Sequence, residues 1–150
     1  MVAVIQRVSE ASVRVEENSI GKINGGLLLL IGITHDDNEM DVDWLVNKTI
    51  HLRIFSDNEK KINLSVLDIN GDILVVSQFT LLASTRKGTR PSFVNAASPD
   101  IAIPLYQSFI QKLEAAAGKT ISKGIFGADM KISLINDGPV TIIIDTKNKN

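Results

Sequence analysis

Ser77 and Thr80 stand three residues apart at the end of an apolar run, DILVVSQFT, with Gln78 and Phe79 between them. Two hydroxyls and a carboxamide at a strand end could attack, hold or orient an acyl group. A hydroxyl is a weak nucleophile at neutral pH and needs a base beside it. The chain has two histidines, His35 and His51, neither in a recognisable nucleophile setting, and no G-x-S-x-G elbow. It has no Cys, which excludes thiolate nucleophiles, disulfides and Cys-ligated zinc. Two readings of Ser77 and Thr80 therefore stand side by side: a side-chain nucleophile, or hydrogen bonding at a strand end. Period-2 alternation predicts Ser77 and Phe79 on one face, Gln78 and Thr80 on the other.

Three further stretches could carry chemistry. STRKGTRPSF gathers Arg86, Lys87 and Arg90 around Gly88, with Phe93 close by. It could contact phosphates, or it could be a solvated loop. GIFGADM places Phe126, Ala128 and Met130 together, either lining a pocket or packing at a turn. NDGPVT, from Asn136 to Thr141, interrupts two strand-like runs with Gly138-Pro139. The usual hairpin signal would be Asn-Gly or Asp-Gly, so this is a tight turn or a backbone tool that must hold one shape. His35 beside Asp36 and Asp37 lacks ligand spacing elsewhere, so no metal is expected. The acidic run fits a helix N-terminus, where carboxylates favour the macrodipole.

These residues need a scaffold, and composition bounds it. At 150 residues, 44% apolar and 22% charged, the chain reads as one globular domain with a core of its own. Net charge is −1, so an anionic partner must be met by a local basic patch. Arg7 and Glu10 fall where a secretion signal would keep its apolar core, and GGLLLLIGI is too short to span a bilayer. A cytoplasmic protein is expected.

GGLLLLIGI reads as a strand buried on both faces. Short runs predict strands at VAVIQRV, ASVRVEE, SIGKI, NLSVL, DILVVSQFT, KTISKGI, MKISLIN and VTIIID. One helix is expected from a cap at Asp36 or Asp37, with Met40, Trp44, Leu45 and Leu52 on its buried face. A second follows Pro99-Asp100, with Ile101, Leu105, Phe109 and Leu113 in register and Gly118 past its end. The KNKN tail, from about residue 146, is expected to fray. The fold class is α/β: a mixed, barrel-like sheet with two main helices packed outside.

Together, IQRV, VVSQFT, TRKGTRPSF, GIFGADM and NDGPVT resemble, in order and over nearly the whole chain, the D-aminoacyl-tRNA deacylase family. SQFT and NDGPVT match its two signature motifs without departure. The resemblance implies a cytoplasmic homodimer, without membrane or DNA partners and without a cofactor. Its expected partner is tRNA carrying a D-amino acid on the 3′-terminal adenosine, and its reaction is hydrolysis of that ester. It implies that the Gly138-Pro139 bond is cis and enters the partner subunit's site, where rigid carbonyls reject L-amino acids. Glycine, with no side chain to clash, should pass. Arg7 is implied as a brace for that element, with Asn136 and Thr141 beside it and Phe126, Ala128 and Met130 around the substrate.

On this reading Ser77, Gln78 and Thr80 position the 3′ end, Phe79 shapes the pocket, and Arg86, Lys87 and Arg90 meet the acceptor end. Water would attack, with backbone N–H groups near Gln78 and Phe79 as an oxyanion hole and the adenosine 2′-hydroxyl assisting. Thr80 as nucleophile is the rival. A non-catalytic tRNA-binding module and a serine-type esterase for small esters are the alternative classes.

Overall fold

The computed structural model describes residues 1–150. Its spine is a pair of long antiparallel strands, β1 (Val2–Val15) and β8 (Met130–Asp145), which pair along their length. The expected strands VAVIQRV and ASVRVEE are one strand here, as are MKISLIN and VTIIID. The interruptions are absorbed as irregularities of register rather than as turns. Val8 pairs with Asn136 and Gln6 with Thr141, so residues 137–140 are pushed out of the ladder opposite Arg7.

The other edge of β1 pairs with β3 (Gly26–Gly32) and then with β2 (Asn18–Ile23). β6 (Asp72–Ser77) runs parallel to β3, and the two-residue β7 (Ser122–Lys123) runs parallel to β6. The main sheet has the order β2-β1-β3-β6-β7, and β7 comes back against β2, where Gly21 faces the Lys123 carbonyl. The sheet is thus nearly closed, as a barrel-like sheet is expected to be. A small hairpin of β4 (Phe55–Ser56) and β5 (Ile62–Leu64) stands apart. NLSVL yields only β5, because Asp68 accepts hydrogen bonds from the Ser65 amide and hydroxyl and turns the chain.

Alternation in β3 and β6 explains their apolar runs. Leu27, Leu29, Ile31, Ile73 and Val75 face the helices, while Leu28, Leu74 and Val76 fill the barrel. Both faces are buried, as GLLLLIGI predicts. The helices α1 (Glu39–His51) and α2 (Pro99–Ala117) cover the first face.

Helix α1 starts later than expected. Asn38, not Asp36 or Asp37, is its cap, bonding the Met40 amide while Asp41 reaches back to the Asn38 amide. Asp37 is buried instead against the Met1 ammonium at 2.5 Å. The buried stripe is Val42, Leu45, Val46 and Ile50, and Met40 is 79% exposed. At 3.6 residues per turn, Met40 falls on the far side of the helix from that stripe. In α2, Leu105, Phe109 and Leu113 are buried as predicted and Gly118 caps the end at φ +68°, whereas Ile101 stays partly exposed. The expected tail makes contacts with the body. Thr146 is buried, Lys147 pairs with Asp41 at 2.9 Å, and Lys149 lies 4.8 Å from the Trp44 ring centroid. No helix is long and apolar enough to cross a membrane.

Candidate functional site

Two parallel strands, β3 and β6, end side by side, and the chain leaves each by a crossover. The carboxyl ends of parallel strands are where such sheets open a crevice. Here a cavity of about 280 Å³ opens at that point. Ser77, Gln78 and Phe79 form one wall, and Phe126, Gly127, Ala128 and Met130 form another. SQFT and GIFGADM, about fifty residues apart, therefore meet. Phe126 is backed by Tyr106, with ring centroids 5.6 Å apart. Burial pushes the Tyr106 hydroxyl up to about 12, and it donates to the Val75 carbonyl at 3.3 Å. It therefore stays neutral and structural.

After Ser77 the strand gives way to a single 3-10 turn, Phe79–Leu82. Strict alternation therefore ends at Ser77, and Thr80 is exposed at the rim. The Thr80 hydroxyl accepts a hydrogen bond from the Gln78 carboxamide at 2.5 Å. Neither histidine serves it: His35 contacts the Val94 carbonyl and His51 the Asn47 carbonyl. A base is what a nucleophilic hydroxyl needs. One expected oxyanion donor is already spent, since the Gln78 N–H donates to the Ile31 carbonyl at 2.8 Å. The Phe79 N–H, first in its turn, has no acceptor within that turn.

Arg7 on β1, with Asn136, Gly138, Pro139 and Thr141 on β8, come together elsewhere, around the protrusion of residues 137–140, and none lines this chain's own cavity. The Gly138-Pro139 bond is cis. Arg7 holds the protrusion through Nε, which donates to the Asp137 carbonyl at 2.9 Å, and is itself anchored by Nη1 to the Ile54 carbonyl at 2.7 Å. Gly138 has φ +130°, and a Cβ there would stand 2.7 Å from Arg7 Nη2. Only glycine fits both the backbone and the guanidinium. Asn136 Nδ2 closes the base, donating to the Val140 carbonyl at 2.9 Å and the Arg7 carbonyl at 3.1 Å. Thr141 donates to Asn136 Oδ1 at 3.4 Å. Arg7 is thus a bracing side chain, not an arginine in water.

Arg86, Lys87 and Arg90 are exposed on a loop whose base is closed by paired Ser84 and Ser92 amides and carbonyls, at 2.8 and 2.9 Å. None has a carboxylate partner. Phe93 returns from this loop to pack edge-to-face on Phe79, with centroids 5.1 Å apart.

Several site residues escaped the sequence. Ile31, Ile33, Ala97 and Ala102 line the cavity; β3 pairing with β6 brings Ile31 there, and the Ala97 amide donating to the Ile33 carbonyl draws in the start of α2 with Ala102. Gly124 gives Met130 its seat: a Cβ at that position would stand 2.5 Å from the Met130 sulfur. The GI-F-G pattern around it was the available signal.

Known proteins resemble this chain in sequence and fold. A sequence model described as D-Tyr-tRNA(Tyr) deacylase matches residues 4–145. The D-aminoacyl-tRNA deacylase of Flavobacterium psychrophilum is 62% identical over 149 residues, 99% of each chain. That of Cytophaga hutchinsonii is 59% identical over the same shares. Among solved structures, the c-Myc DNA Unwinding Element Binding Protein superposes with a TM-score of 0.90 at 39% identity, covering 97% of this chain and 98% of its own. A probable eukaryotic D-amino acid tRNA deacylase superposes at 0.82 with 20% identity, covering 95% and 97%, and so speaks for the fold alone. This chain belongs to the D-Tyr-tRNA(Tyr) deacylase family.

Proposed function

We propose that this chain, as a single domain over residues 1–150, hydrolyses the ester of D-aminoacyl-tRNA to free D-amino acid and tRNA. The observation that carries the reading is the cavity in which SQFT meets GIFGADM, in a chain matched from residue 4 to 145 by the family. Deacylation of D-aminoacyl-tRNA by the purified chain tests it.

Water attacks the ester carbonyl carbon, the bond from that carbon to the ribose oxygen breaks, and the ribose oxygen takes up a proton. The Phe79 amide holds the oxyanion, a donor worth about 3 to 4 kcal/mol. The neighbouring ribose hydroxyl of the substrate helps activate the water, which suits a cavity without histidine. Ser77 and Gln78 position the 3′ end, and Thr80 supports Gln78 from the rim through their hydrogen bond. Thr80→Ala therefore keeps turnover within about tenfold of the parent in a single-turnover assay. A nucleophile removed would cost several orders of magnitude more.

The protrusion acts in trans. Gly138 and Pro139 are exposed, and the exposed Ile135 and Ile143 flank them on β8. A second copy seated on this face places Gly138-Pro139 over the cavity, where backbone carbonyls accept from the α-ammonium of a D-residue and an L side chain meets backbone. Rejection by backbone is independent of side-chain identity. Glycyl-tRNA passes the same filter. The enzyme is thus read as a cytoplasmic homodimer for translation quality control, with no cofactor in the mechanism.

Arg86, Lys87 and Arg90 contact acceptor-end phosphates. Replacing all three with Gln weakens binding uniformly across tRNAs and reduces the slope of log affinity against log salt by about 2 to 3. Titration at several salt concentrations measures it, and an unchanged slope removes the loop from the interface.

A further inference from the structure

The cavity continues into a second surface. Phe79, on the cavity wall, is 56% exposed, and Phe93 packs its ring against it at an interplanar angle of 71°. An edge-to-face pair leaves ring surface uncovered. Val94, next in the chain, is 73% exposed, and it borders an open recess of about 620 Å³ shared with Arg86 and Lys87. The rim is fixed in place. His35 Nε2 lies 2.8 Å from the Val94 carbonyl, and the Ala97 amide donates to the Ile33 carbonyl at 2.9 Å. Apolar side chains of this size left in water, held rigidly beside unpaired cations, mark a binding surface.

We propose that Phe93 and Val94 form a stacking shelf for the unpaired nucleotides that precede the terminal adenosine, with Arg86 and Lys87 beside their phosphates. This rests on the tRNA-deacylase reading above and deepens it: the enzyme reads a single-stranded 3′ end, not one aminoacylated nucleoside. Aromatic faces alternating with cations are how proteins hold single-stranded nucleic acid without sequence preference, each base stacking on a ring while the charges track the backbone. Continuity supports that occupant, because the shelf begins at Phe79, on the cavity wall itself. Charge supports it too, since no carboxylate neutralises the two cations. A protein partner would be drawn to the apolar residues but would leave the cations to be paired.

The test compares two esters on the full chain: D-Tyr on adenosine, and D-Tyr on the trinucleotide cytidylyl-cytidylyl-adenosine. The expected kcat/KM is about tenfold or more higher for the trinucleotide, from stacking of at least one base. Phe93→Ala brings the ratio of the two toward one, while Phe93→Trp keeps it. Val94→Asp, at an exposed position, lowers the same ratio by adding a charge that repels the backbone. Equal kcat/KM on the two esters in the parent, or a parental ratio in Phe93→Ala, overturns the shelf alone. Hydrolysis of neither ester nor of intact D-Tyr-tRNA overturns the deacylase reading and the shelf with it.

Discussion

Arg7→Ala is expected to lower D-Tyr-tRNA turnover about 100-fold and to narrow the gap between D and L esters. The Arg7 side chain is 11% exposed and donates to two backbone carbonyls, of Ile54 in the body and Asp137 on the protrusion. Its removal leaves both without that donor, at about 1 to 3 kcal/mol for each that stays dry. It also empties the space against which Gly138 packs. The protrusion then loses its link to the body. A displacement of about 1 Å at a positioning element costs on the order of 100-fold. Arg7→Lys falls between, because a single ammonium does not reproduce the guanidinium fork. Single-turnover rates on both esters, set beside thermal melts, separate loss of positioning from loss of fold. A parental D-to-L ratio in a folded Arg7→Ala protein would mean that Asn136 alone holds the protrusion.

Gly124→Val is the second large effect. No side chain fits between residue 124 and the Met130 sulfur without movement, and the thioether is the flexible partner. Met130 lines the cavity, and Val76 closes the other side of Gly124 at 3.8 Å. The displaced side chain therefore moves into a space of only about 280 Å³. The expected loss in kcat/KM is about 10- to 100-fold, with stability changed by about 1 to 3 kcal/mol as for other overpacked sites. Adding Met130→Ala restores room. The double variant is therefore expected to exceed Gly124→Val in activity, the non-additivity of residues in contact. Additive losses would place the effect of Gly124 elsewhere.

What the sequence revealed and what it hid follow from the range of the forces involved. Periodicity is local, so the double-sided burial of Leu27 to Ile31 and the Leu105–Phe109–Leu113 stripe were legible. The start of α1 was not. Asp36, Asp37 and Asn38 can all cap a helix, and the choice fell to Asn38 because Asp37 is held by Met1, far away in sequence. Strand ends were likewise hidden. Nothing local says that Asn136 and Thr141 both pair with β1 while four residues loop out between them. The resemblance already set Gly138-Pro139 apart, in a partner's site, and the ladder adds that residues 137–140 leave β8 opposite Arg7, outside the cavity lining. The commitment of the Gln78 amide to Ile31 depends on the parallel pairing of β3 with β6 and has no signature in SQFT.

Hydrolysis with chiral selection is tested by deacylation of D-Tyr-tRNA and L-Tyr-tRNA side by side. Rapid loss of the D ester is expected while the L ester persists over the same interval. Equal rates on the two esters would contradict the backbone filter, and stability of both would contradict the reaction itself.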